Sequence, residues 1–167
     1  MGKIIAIVGM CGSGKSVACD YLENLGYKKV YFGGVTMDKL KEIGLEITPD
    51  NEKMMREKLR QDLGMGAYAK VLLPKIKELS INNNVVLDGL YSWDELVILN
   101  NEFKMTTIAV VADKKLRYER LEKRVVRPFS KSDAIKRDVS EIENIAKAGP
   151  IAYADYYICL LYTSPSP

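Results

Sequence analysis

Apolar and polar positions along the chain fall into blocks with two alternating periods. Lys3 to Val8 is an almost unbroken run of Ile, Ala and Val closed by Gly9, the pattern of a strand covered on both faces. Ser16 to Leu25 then switches to a helical period, with Val17, Tyr21 and Leu25 on one stripe and Gly26 as the stop. Lys29 to Phe32 predicts a short second strand, and Thr36 to Ile43 a short helix ended by Gly44. Thr48-Pro49-Asp50-Asn51 is a turn and N-cap signal. It introduces two helical stretches, Asn51 to Leu63 and Ala67 to Leu79, and Pro74 predicts a kink or a fresh turn in the second. Asn84 to Gly89 predicts a third strand, and Ser92 to Leu99 a helix with Ser92 and Glu95 in capping-box spacing. Met105 to Ala112 reads as a fourth buried strand and Lys114 to Val125 as a cationic helix that Pro128 stops. Ser132 to Ala146 reads as a helix capped by Ser132, and Tyr156 to Leu161 as a fifth strand.

Nearly all-apolar strands that alternate with helices predict an α/β domain with a parallel sheet and right-handed crossovers. Residues 1–161 contain no repeat or linker and read as one domain. Residues 162–167 carry Thr, Ser and Pro without a period and read as an unstructured tail, either foreign or truncated.

Composition changes this picture mainly by exclusion. Among 167 residues, 47% are hydrophobic and 28% charged, as in an ordinary globular domain, but histidine is absent. That removes Ser-His-Asp and Cys-His nucleophile systems, His-ligated zinc and any imidazole base. The three cysteines, Cys11, Cys19 and Cys159, lack metal-ligand spacing and read as reduced thiols, which suits a cytoplasmic protein. The apolar run after Lys3 is too short for a signal segment or a membrane span, so no membrane partner is expected. Net charge is only +3, yet Phe103 to Arg137 holds eleven Lys and Arg against four Asp and Glu. This segment is either a solvated helical face or one that faces phosphate. No nucleic-acid partner is expected, because no RNA- or DNA-binding motif accompanies the charge.

One motif carries chemistry. Gly9-Met10-Cys11-Gly12-Ser13-Gly14-Lys15-Ser16 matches G-x-x-x-x-G-K-[ST] at every fixed position, after a predicted strand and at the start of a predicted helix. Gly9, Gly12 and Gly14 allow the backbone N–H groups to turn inward around an anion, and the helix start adds its positive dipole end. Lys15 reaches the β and γ phosphates and the Ser16 hydroxyl ligates Mg²⁺, while Ser13 and Val17 complete the nucleotide-binding set. Asp88, at the end of Val85-Val86-Leu87, has the Walker-B form and is expected to organise Mg²⁺ or to accept a proton from an acceptor hydroxyl. Arg117, Arg120 and Arg124 share a helix face and Arg127 follows; Arg120, Arg124 and Arg127 are the candidate cations for the moving phosphoryl group.

With these motifs the chain resembles the adenylate-kinase-like branch of P-loop proteins, which includes nucleoside monophosphate kinases and dephospho-CoA kinase. It is most similar to uncharacterised adenylate-kinase-like proteins labelled dephospho-CoA kinase-like. Lys58-Leu59-Arg60, Gly64-Met65-Gly66-Ala67, Arg137-Asp138 and Ala154-Asp155-Tyr156 carry the closer likeness. The resemblance implies a three-layer P-loop NTPase with five parallel strands in the order 2-3-1-4-5. It also implies an acceptor-binding helical segment over 33–81 and a lid over 120–137. The sequence departs from the family where the acceptor binds. Gly34 and Met37 occupy the Asp and Arg places of a Gly-Asp-x-x-Arg segment, Gly33 and Gly34 replace the acids of dephospho-CoA kinases, and Tyr91 replaces an arginine after Asp88-Gly89. Asp38, Arg56 and Arg60 are the remaining acceptor-site candidates, with a salt-bridged face through Glu52 and Glu57 as the alternative for the two arginines. The expected activity is transfer of the γ-phosphoryl group of ATP, with Mg²⁺, to a nucleotide or related phosphorylated metabolite. A P-loop ATPase or nucleotide-binding switch without a metabolite acceptor is the alternative.

Overall fold

A computed structural model of the chain describes residues 1–126 and 128–160. Five strands form its sheet: β1 (Ile4–Val8), β2 (Lys28–Tyr31), β3 (Val85–Asp88), β4 (Met105–Ala112) and β5 (Tyr156–Leu160). All pairings are parallel, and the order is β2-β3-β1-β4-β5, as the sequence led one to expect. Eight helices connect them among the described residues: α1 (Lys15–Asn24), α2 (Gly34–Glu42), α3 (Pro49–Leu63), α4 (Ala67–Asn82), α5 (Trp93–Glu102), α6 (Lys114–Glu122), α7 (Lys131–Ile145) and α8 (Ala148–Ala152). The register sets Asp88 beside Ile7 on one side and Tyr31 on the other. The carboxyl ends of β1, β3 and β2 therefore open on one crevice, where doubly wound sheets bind their ligands.

Alternate strand residues build two cores. Ile4, Ala6, Leu87 and Ala109 meet Tyr68, Leu72 and Ile76 of α4 and Leu96 and Leu99 of α5 on one face. Ile7, Val86 and Val110 meet Cys19 of α1 on the other. Among the described residues no helix is long and apolar enough to cross a membrane.

Several boundaries differ from the sequence reading. The stripe Val17, Tyr21 and Leu25 of α1 faces outward, Val17 being 72% exposed. The buried face is instead Ala18, Cys19 and Leu22. Lys15 shares that face at helical spacing, so turning its side chain to the loop also turns these residues to the sheet. Helix α4 passes through Pro74 without interruption. Helix α6 stops at Glu122 and not at Val125, because the chain reverses there: the Phe129 N–H donates to Leu121 O at 3.1 Å, and Phe129 packs on Cys11, Tyr118, Leu121 and Ala134. Helix α7 is capped by Ser130, whose Oγ accepts from Asp133 N at 3.1 Å, and not by Ser132. The short helix α8 has no counterpart in the periodicity. Residues 161–167, including the tail, lie outside the described residues.

The capping box at the start of α5 forms as its spacing predicts. Ser92 Oγ accepts from Glu95 N at 3.1 Å, and Glu95 Oε2 accepts from Tyr91 N and Ser92 N at 2.9 and 3.1 Å. Glu95 is fully buried, however, and its Oε1 has no partner. Burial pushes the carboxyl up to about 7, against the two backbone bonds and the charge of Arg60. A carboxyl raised in the fold binds its proton there more tightly than in the unfolded chain. Stability therefore falls as pH rises from about 4.5 to about 7, by up to about 3 kcal/mol. Glu95→Gln keeps an acceptor for both N–H groups and carries no charge. Its denaturation midpoint should vary less with pH over that window and exceed the parent's at pH 8; an unchanged profile in urea titrations would refute the assignment.

Candidate active site

Between β1 and α1 the chain wraps into the phosphate-binding loop. Two glycines are required there by geometry. A Cβ at Gly12 would lie 2.8 Å from Arg117 O at a φ of +80°, and one at Gly9 would lie 2.5 Å from Val110 O and 2.6 Å from Ser13 Oγ. Gly14 caps α1 in the left-handed region. Lys15 Nζ arches over the loop and donates to Gly9 O at 2.9 Å and Met10 O at 3.1 Å. Burial, aided by the charge of Lys147, lowers the ammonium to about 8. Ser13 Oγ is buried without a hydrogen-bond partner. An orphaned hydroxyl, a cradle that a Cβ would fill and a desolvated ammonium are the features of an anion site, and a nucleotide phosphate fits them. Ser16 and Val17 follow on the exposed first turn of α1.

Asp88 ends β3 next to this loop. Burial raises its carboxyl, while Lys29, Lys15 and a hydrogen bond from the Cys19 thiol oppose the shift. Burial and the Asp88 charge push that thiol up to about 12, so Cys19 remains a neutral donor. Among the described residues no three His, Cys, Asp or Glu side chains cluster to hold a metal ion by themselves.

The arginines separate by role. Arg117 is buried: Nη1 donates to Cys11 O at 3.0 Å, and Nη1 and Nη2 bond Asp138 of α7 at 3.1 and 2.7 Å. Tyr118 Oη donates to the same carboxylate at 3.0 Å. Arg117 thus ties the loop to α7 and is not available to a ligand. Arg120 Nη1 approaches Gly12 O and Ser13 O at 3.3 and 3.4 Å, so it flanks the loop. Arg124 is exposed beyond the end of α6, and Arg127 lies outside the described residues.

Beside the loop, α2, α3, α4 and α7 line an open cavity of about 820 Å³. Arg56 and Arg60 line it from α3, and among the described residues neither forms an ion pair with Glu57. Arg60 sits 5.3 Å from the Tyr68 ring centroid, and Tyr68 Oη and Thr36 Oγ1 are hydrogen-bonded at 2.6 Å. Met37 and Tyr91 line the cavity too. Asp38 is exposed on α2 and is not brought to these groups. A side chain at Gly33 would meet the tip of the Tyr31 ring, with its Cβ 2.4 Å away, and the exposed Tyr31 would have to shift to admit it.

On the α7 side of the cavity Arg137 joins two residues that the sequence did not mark, Glu141 and Lys147. Arg137 Nε donates to Glu141 Oε1 at 3.0 Å, and the other carboxylate oxygen of Glu141 takes Lys147 Nζ. Burial would raise the Glu141 carboxyl, but Lys147 and Arg137 outweigh it and hold it below the usual range. Lys147 is only 3% exposed and lies 5.4 Å from the Tyr91 ring centroid. Lys147 stands 132 positions from Lys15 in the chain, and no local pattern points to it.

The model of a family described as AAA domain matches residues 5–143. A UPF0200 protein of Thermococcus onnurineus is 37% identical over 161 residues, covering 93% of this chain and 86% of its own. The crystal structure of TT1252 from Thermus thermophilus superposes with a TM-score of 0.65 at 17% identity, over 97% of this chain and 90% of that one. A shikimate kinase from Bacteroides thetaiotaomicron gives 0.58 at 12% identity, over 94% and 86%.

Proposed function

The chain belongs to the AAA domain family and to the UPF0200 proteins, and on that footing we propose that it is an ATP-dependent small-molecule kinase whose acceptor carries phosphate. The observation that carries the reading is the adjacency of two sites: a phosphate loop complete in every fixed residue, and an open cavity lined by Arg56 and Arg60 beside it. An ATPase or switch has no need of the second. The shikimate kinase among its structural relatives has this fold, which supports phosphoryl transfer as the reaction class.

In this reading Gly9, Gly12, Ser13, Gly14, Lys15, Ser16 and Val17 hold the triphosphate of ATP. Ser16 and Asp88 would hold Mg²⁺, with phosphate oxygens and water completing its shell, and the ion would supply charge neutralisation at the phosphates. Arg120, Arg124 and Arg127 belong to a lid over 120–137 and steady the phosphoryl group on closure. Residues 33–81 form the acceptor-binding segment, with Arg56 and Arg60 on the acceptor's phosphate. Kinship with dephospho-CoA kinases and nucleoside monophosphate kinases, and a cytoplasmic location, are parts of the same proposal.

The test is ADP release from MgATP with nucleoside monophosphates, dephospho-CoA and sugar phosphates offered singly. Release should rise at least tenfold with one acceptor class. Slow release that ignores every acceptor would replace the kinase by the ATPase or switch.

A further inference from the structure

Beside Met10 of the phosphate loop, α6 and α7 leave an open groove of about 860 Å³. The two helices run antiparallel: Arg117 pairs with Asp138, and one turn further along α6 Leu121 packs with Ala134. Helix α7 buries Ala134, Asp138 and Ile145, yet its groove side is apolar as well. Ile135, Val139 and Ile142 recur there at i, i+4 and i+7, and they are 43, 45 and 46% exposed. A surface helix normally keeps such a side polar, and this stripe belongs to none of the apolar clusters of the fold. Charge is divided along the same groove. The antiparallel register puts Lys114 and Lys115 level with Ile142, and Glu119 and Glu122 level with Ile135.

We propose that this groove is the contact between two copies of the chain, in a two-fold dimer in which α6 and α7 of one copy lie antiparallel to those of the other. The charge pattern is self-complementary in that arrangement. A two-fold axis through the middle of the groove reverses both helices. It sets Lys114 and Lys115 against the partner's Glu119 and the partner's Glu122. On α7 it sets Ile135 against the partner's Val139, and Lys131 against the exposed end of the helix that carries the partner's Glu143. A parallel arrangement would gather the lysines of both copies at one end and the glutamates at the other, which is repulsive. A foreign helix of one charge sign would match only one end of the groove. The stripe is short, so the dimer is weak and depends on concentration. Met10 and the Arg117–Asp138 pair also line the groove, and the interface therefore lies directly against the segment that holds the phosphate loop. This dimer does not depend on which reaction the loop serves.

Sedimentation velocity of the full chain, from micromolar to submillimolar concentration, decides the matter. The parent should pass from monomer to dimer as concentration rises, with no larger species, because a two-fold contact closes on itself. Val139→Glu, in the middle of the stripe, should weaken dimerisation at least tenfold and leave a cooperative melting transition. Lys114→Glu and Glu122→Lys should each weaken it, because each sets like charges opposite one another. Carrying both changes restores opposite charges in every pair, and the double variant should recover most of the parent's association. All three positions are exposed, so the fold tolerates these substitutions. A parent that stays monomeric throughout overturns the proposal and leaves the groove to a different protein. A dimer that Val139→Glu leaves intact, or that the doubly reversed variant fails to recover, overturns it too, since the contact then lies elsewhere.

Discussion

Lys15→Ala should weaken MgATP binding by about two orders of magnitude and abolish turnover, and yet melt higher than the parent. The two effects share one cause. Lys15 is held among loop carbonyls at Gly9 and Met10, with Lys147 and burial acting against its charge. An ammonium lowered from 10.5 to about 8 is destabilised in the fold at all lower pH, by up to about 3 kcal/mol, which its two hydrogen bonds offset in part. Removing it relieves that cost. At about 2–4 °C per kcal/mol for a domain of this size, the melting temperature should rise by a few degrees at pH 7. A phosphate reverses the balance, because it supplies the counter-charge that the loop lacks, and the interaction is a charge-assisted one in a partly desolvated site. Equilibrium binding of a fluorescent ATP analogue and calorimetric melting read the two effects separately. Unchanged nucleotide affinity would remove Lys15 from the site, and a lowered melting temperature would show that its role is structural.

The sequence made the donor half legible because that half is local. A strand, a tight loop and a helix start occupy adjacent positions; Gly9 and Gly12 are dictated by contacts directly against the loop, as their Cβ collisions show, and Gly14 by its left-handed backbone. Asp88 was legible for a related reason: it closes an all-apolar strand whose register places it beside Ile7. The parallel sheet and its order followed from the strand pattern and the resemblance. The cavity beside it is assembled from distant segments. Glu141 and Lys147 join Tyr91 and the loop only through the packing of α7 and α8, and a lysine near the end of a polar helix reads as solvated. Even Arg117, on the same predicted face as Arg120, is distinguished by a partner 21 positions away. The reversed face of α1 shows the same limit: helical spacing finds stripes, while the loop's demand on Lys15 decides which stripe is buried.

Arg117→Ala should be the most destabilising single change outside the two main cores. It removes a guanidinium bonded to both oxygens of Asp138 and to Cys11 O, and leaves a buried carboxylate with only the Tyr118 hydroxyl. Breaking one side of a buried pair costs about 3–5 kcal/mol, or roughly 6–20 °C in melting temperature here. Replacing both partners has a different outcome. Arg117→Met with Asp138→Leu leaves no buried charge, and apolar pairs of similar volume are commonly neutral or stabilising. That double variant should recover most of the stability. It should not recover nucleotide affinity, because the Cys11 carbonyl still lacks the donor that fixes the loop against α7. Chemical denaturation of the four species of the cycle gives the coupling between the two residues, and MgATP titration of the same four shows whether affinity follows stability. If affinity returns with stability in the double variant, the pair only holds the fold. If stability returns and affinity stays low, the Arg117 link positions the phosphate loop through α7, the helix that also carries Arg137 and Glu141 to the cavity.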